Sequence, residues 1–131
     1  MNRSEPINRS RLQEYSGGEI EFEQELLNLF MVDAQQHLDA IDVAIASATD
    51  RPEKSATRSL SEENTVVNLD IIYQEAHHLK GASGSIGAER FQKLAAQLEQ
   101  ATRQGQPYLS KLSELKIAFA ELATKISQWP N

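Results

Sequence analysis

The sequence predicts an all-α fold, an up-and-down four-helix bundle preceded by a short N-terminal helix or an unstructured tail. Three observations predict it. Apolar residues recur at spacings of three and four through most of the chain, no stretch shows the every-other-residue alternation of a strand, and the breaks between periodic segments carry glycine or proline. A chain of 131 residues is enough for one domain with a single core. It divides into an N-terminal arm over 1–18 and a helical bundle over 19–131, with a polar linker at 49–68 inside the bundle.

The arm opens polar, then offers Arg11-Leu12-Gln13-Glu14-Tyr15 before the break Ser16-Gly17-Gly18. Leu12 and Tyr15, three apart, suit one helical turn that lays an apolar lid on the bundle; a disordered tail is the alternative. From Glu19 to Ala48 the periodic signal is long. Leu27, Phe30, Ala34, Leu38, Ile41 and Ile45 form its stripe, while Glu23, Asp33, Gln36 and Asp39 lie outside. Acidic residues crowd the opening turns, where the helix macrodipole favours them. Residues 49–68 turn polar, a connection longer than most in bundles. Asn68 is the expected cap of the second long helix, whose buried stripe is Leu69, Ile72, Ala76, Leu79, Ser83 and Ile86, and Gly87 ends it in a left-handed cap. The third runs from Ala88 to Gln104 on Phe91, Leu94, Ala95, Leu98 and Thr102, and Gly105 stops it. Pro107 suits the first position of the last helix, where its missing N–H does no harm. Tyr108, Leu112, Leu115, Phe119, Leu122, Ile126 and Trp129 then follow the four-three alternation of a coiled-coil-like bundle partner.

Composition excludes several functions. The net charge of −6 disfavours nucleic acid and anionic lipid as partners. No apolar run approaches the roughly 18 residues of a membrane span, and Met-Asn-Arg-Ser-Glu-Pro lacks the apolar core of a signal peptide, so the expected location is cytoplasmic. Without cysteine there is no disulfide, thiolate metal site or cysteine nucleophile. Nor is there a P-loop or kinase-type ATP segment, so the chain cannot charge a residue of its own from ATP.

The chemistry centres on Tyr73 to Arg90. On a helix at about 100° per residue, His77 points roughly 130° away from the buried stripe, with Gly81 and Gly84 one and two turns later on its own side. A glycine inside a helix costs about 1 kcal/mol against alanine, so two beside an exposed histidine ask for a reason, and the useful one is access for another protein's surface. Lys80 stands at the edge of the same patch, able to reach a dianionic group on the ring. An imidazole near its ordinary pKa is largely neutral at pH 7 and keeps one free lone pair, a nucleophile that needs no activating base. A hairpin pivoting at Gly87 brings residues near 97–99 opposite His77, so Glu99 is the candidate to accept a hydrogen bond from the imidazole and fix its tautomer; a solvated carboxylate is the alternative. The candidate site is thus His77, with Tyr73, Lys80, Gly81, Gly84 and Glu99 around it.

Ala76-His77-His78-Leu79-Lys80-Gly81, followed by small residues and Gly87, resembles the signature of histidine-containing phosphotransfer (HPt) domains. The resemblance extends over about residues 20–128 as a helix pattern and rests on some dozen residues for its specificity. It implies a four-helix bundle in which His77 takes a phosphoryl group from a receiver-domain aspartate and passes it to another. By the same resemblance Lys80 is the phosphate-side cation and Gly81 the docking clearance, while His78 occupies a variable position. The implied partners are receiver domains of response regulators or hybrid histidine kinases, with no cofactor and a monomeric chain. Two other readings stay open. One is a binding-only bundle that docks on a receiver or kinase and inhibits it. The other is an excised phosphorylatable domain of a chemotaxis-type kinase, whose motif shares the His, Lys and Gly spacings; the absence of a kinase domain up to Trp129-Pro130-Asn131 weighs against it.

No metal site is expected. His77 and His78, adjacent on a helix, point about 100° apart and cannot jointly hold an ion. Glu75 and His78 stand at i, i+3, but a di-metal bundle needs a second such pair on another helix, and none is read. His37, at the edge of its stripe and without an acidic or histidine partner at +4, is read as structural or idle.

Overall fold

The computed structural model describes residues 7–49 and 58–129, with side chains described over 7–46 and 69–129. Every described element is a helix: α1 (Arg9–Ser16), α2 (Ile20–Thr49), α3 (Arg58–Ser85), α4 (Glu89–Arg103) and α5 (Leu109–Ser127). None is long and apolar enough to cross a membrane among the described residues.

The three-four stripes make the core. Leu27, Phe30, Ala34, Leu38 and Ile41 of α2 meet Ile72, Ala76 and Leu79 of α3; Phe91, Ala95 and Leu98 of α4 meet Leu112, Leu115 and Leu122 of α5. Consecutive helices pack on one another and α5 returns to α2, closing the four into a bundle. Phe91 sits at the join, edge-on to Phe30 at 5.7 Å between ring centres and tilted against Phe119 at 6.1 Å. Edge-to-face rings of this kind add to the burial itself.

Helix ends follow backbone chemistry. At Gly87, φ is 78°, and the N–H groups of Gly87 and Ala88 donate to the carbonyls of Gly84 and Ser83 at 3.3 and 3.0 Å. These are the paired bonds of a Schellman cap, and Gly105 repeats them with Thr102 and Ala101. The hairpin that sets α4 against α3 is therefore built by the residue expected to build it.

Four expectations change. α3 begins at Arg58, so Asn68 lies inside a helix rather than capping one; of the linker expected over 49–68, residues 49 and 58–68 are helical, and 50–57 lie outside the described residues. No glycine or proline interrupts 58–80, and a helix already nucleated downstream extends at little cost. Pro107 precedes α5 instead of opening it, with Tyr108 at the N-cap. Glu23, placed outside the stripe of α2, is buried, accepting from Ser16 Oγ at 3.1 Å and Trp129 Nε1 at 3.2 Å. Two donors from distant segments make that burial tolerable for a carboxylate.

The fourth concerns the arm. Of its two readings the helical one holds: α1 lays Leu12 on the bundle and Ile7 joins it in the core, but Tyr15 of the expected lid is exposed. Asn8 holds the arm in place. Its Oδ1 caps α1 on the Arg11 N–H at 3.1 Å, its own N–H donates to the Gly87 carbonyl at 2.7 Å, and its side-chain amide donates to Glu89 at 2.9 Å.

Candidate functional site

Because α3 buries Ala76 and Leu79, the intervening His77 is turned outward, its side chain 62% exposed. The Gly87 hairpin brings Glu99 of α4 beneath it. Glu99 is itself nearly buried, with one carboxylate oxygen 2.8 Å from His77 Nδ1 and the other 2.7 Å from Lys80 Nζ. Burial alone would raise the Glu99 carboxyl, but the hydrogen bonds from Lys80 and His77 and the charges behind them outweigh it and hold it below the ordinary glutamate range. The carboxylate is ionised at neutral pH and can only accept. Nδ1 therefore carries a ring proton, and in the neutral ring the lone pair is on Nε2. Of the two readings of Glu99, the structure contains the bonded one. Tyr73, one turn earlier, stacks on the imidazole with ring centres 6.2 Å apart and planes 22° off parallel.

A carboxyl with a lowered folded-state pKa stabilises the fold above its unfolded pKa, and that contribution is lost as pH falls through the folded value. We expect the urea midpoint to fall as pH drops below about 4.3, the ordinary glutamate value. In Glu99→Gln that acid-side fall should shrink, and equal falls in both chains would show that the Glu99 pair adds nothing.

Lys80 departs from expectation in one respect. Its ammonium is tied to Glu99 rather than standing free beside the ring, so one carboxylate serves both cations. The two glycines also differ from each other. A Cβ built at Gly81 meets nothing within 4 Å, so the ground beside His77 is open there. At Gly84 it would stand 2.7 Å from Gln92 Nε2, so this glycine admits a side chain of α4. Gly84 also lines, with Gly81, Arg11 and Tyr15, a groove between α1 and α3. The arm borders the glycines without covering Gly81.

His37 is not idle. Asp33, one turn before it, lies 3.3 Å from His37 Nε2, Glu75 of α3 contacts its Nδ1, and the His78 ring lies tilted against it by 32° with centres 3.9 Å apart. His78 Nε2 is in turn 3.3 Å from Asp33. A partner sought only at +4 misses the carboxylate at −4. The second pair facing Glu75 and His78, which was not read from the sequence, is Asp33 and His37.

The Hpt domain family model matches residues 25–128. The chain belongs to the Hpt domain family. This Hpt domain also resembles a solved structure, histidine-containing phosphotransfer protein B (HptB) from Pseudomonas aeruginosa PAO1, with a TM-score of 0.73 over 95% of this chain and 94% of that one. At 18% identity the likeness speaks to the fold. Among curated proteins none matches the sequence.

Proposed function

We propose that this Hpt domain is a phosphorelay intermediate that accepts a phosphoryl group on His77 from a receiver-domain aspartate and passes it to a second receiver. The observation that carries the reading is the bonded, outward imidazole: Glu99 holds Nδ1, and Nε2 faces open space beside Gly81. In the forward step the Nε2 lone pair attacks phosphorus in line. The N–P bond forms as the P–O bond to the aspartate breaks, and the electron pair stays on the departing carboxylate. Positive charge grows on the imidazole as it is phosphorylated, and the Glu99 carboxylate at Nδ1 offsets it. Lys80, already at the site, is the cation within reach of the transferred oxygens. The receiver brings its own Mg²⁺. The same geometry run backward delivers the group to another receiver, so the domain is a cytoplasmic phosphocarrier without kinase activity of its own.

The direct test mixes the full chain with a receiver carrying labelled phosphoryl aspartate and maps the label by mass spectrometry. Label on the peptide holding His77, lost again when a second receiver is added, is the expected result. Label elsewhere, or none, would refute the assignment.

Gly81 separates docking from stability. Because a Cβ there meets open space, Gly81→Ala should stabilise the chain by up to about 1 kcal/mol through helix propensity. Gly81→Gln should fold as well but slow transfer by about tenfold or more, since a long side chain displaces the visiting pocket from Nε2. Unchanged transfer in Gly81→Gln would remove the docking role.

A further inference from the structure

On the opposite side of the bundle seam from Glu99, α2 and α3 bring four metal-ligating side chains to one spot. Asp33 and His37 are one turn apart on α2, and Glu75 and His78 share a face of α3. We propose that Asp33, His37 and His78 bind one divalent transition-metal ion of the zinc class, with Glu75 fixing His37 from behind.

The distances suit such an ion. In a tetrahedral site with metal–ligand bonds of about 2.0–2.1 Å, neighbouring ligand atoms stand about 3.3 Å apart. Asp33 Oδ1 lies 3.3 Å from His37 Nε2 and its other oxygen, Oδ2, 3.3 Å from His78 Nε2, so the carboxylate stands between the two imidazoles and can turn either oxygen to a shared ion. One ligand atom from each of the three lies within 4.8 Å of the others, so a turn of the exposed His78 and of the Asp33 carboxylate toward the half-buried His37 completes the triangle. Three protein ligands leave the fourth position to water.

The orientation of His37 points the same way. Glu75 takes the Nδ1 hydrogen, the carboxylate–histidine arrangement that sets the tautomer of metal-bound imidazoles and raises their basicity. With Nδ1 engaged by Glu75, Nε2 is the nitrogen of His37 that faces Asp33 and the shared position. Two imidazoles and one carboxylate favour zinc, copper or nickel over calcium or magnesium, which take oxygen ligands. His77 has no part in this site: it faces Glu99 of α4, and the clustered ligand atoms come from Asp33, His37 and His78 alone.

The test titrates Zn²⁺ into the full chain, free of any added histidine tag, by calorimetry, with circular dichroism as the check on folding. One ion per chain is expected, with a melting temperature raised by about 5–10 °C at a hundredfold excess over Kd. His37→Gln and His78→Gln should each weaken binding at least about tenfold, and Glu75→Gln by about tenfold, as for other residues that support a ligand. His77→Gln should bind as the parent does. Should His37→Gln unfold, His78→Gln carries the test alone, its side chain being 53% exposed. The proposal is overturned if the parent binds no Zn²⁺, if His78→Gln binds undiminished, or if His77→Gln loses the ion equally.

Discussion

We expect a His77→Gln chain to take no phosphoryl group from a phosphorylated receiver, and a His78→Gln chain to accept it at the parent rate. Glutamine keeps a polar side chain of similar reach and can still donate to Glu99, but its amide nitrogen has no nucleophilic lone pair. The reaction that remains is hydrolysis of the receiver itself. The expected loss is the whole of the transfer rate, at least about a thousandfold, since the nucleophile is the main thing the domain contributes. The ring is 62% exposed, so its removal leaves the core alone and the helical circular dichroism unchanged. A His77→Gln chain that accepts label as fast as the parent ends the assignment. His78 is the matched control, one residue away and engaged with Asp33 instead of Glu99.

Gly87→Ala should cost about 2–4 kcal/mol of folding stability, the largest expected effect of a Gly→Ala change among the described glycines. Two terms add. A residue with a Cβ in the left-handed region costs roughly 1–2 kcal/mol, and φ here is 78°. The new Cβ would also lie 2.5 Å from the Asn8 carbonyl oxygen, a backbone atom that cannot swing aside. Relieving the contact moves the arm, which breaks the Asn8 N–H to Gly87 carbonyl bond and loosens Ile7 in the core. Gly105→Ala is the comparison: φ is 68°, nothing lies within 4 Å, and only the conformational cost of about 1–2 kcal/mol applies. Urea midpoints for Gly81→Ala, Gly105→Ala and Gly87→Ala should therefore rise, fall and fall further. Equal midpoints for the last two would mean the arm is not clamped on the hairpin.

What the sequence made legible was periodicity and what periodicity implies. The stripes of α2, α4 and α5 predicted the core because burial at three and four is a property of each helix alone. The bond from His77 to Glu99 was within reach too, since a hairpin turning on one glycine sets the register of its two helices. Contacts between elements without so short a connection were not. The burial of Glu23 depends on α1 and Trp129 closing one end of the bundle, and the Asp33, His37, Glu75 and His78 cluster on the rotation of α2 against α3. Gln92 above Gly84 is a rotamer, which no spacing encodes. The start of α3 at Arg58 was hidden because its first turns lack an apolar stripe, the very signal by which the other helices were found.

The shared carboxylate of Glu99 has an electrical consequence. With His77 bare, Glu99 and Lys80 cancel, and the rim shows little standing charge. Once a phosphoryl group sits on Nε2, the same spot gains up to about two negative charges, with a single ammonium already half committed to the glutamate below. On the proposed relay, a filled carrier and an empty one would then differ in surface potential alone, a difference that a receiver could sense without any helix having moved.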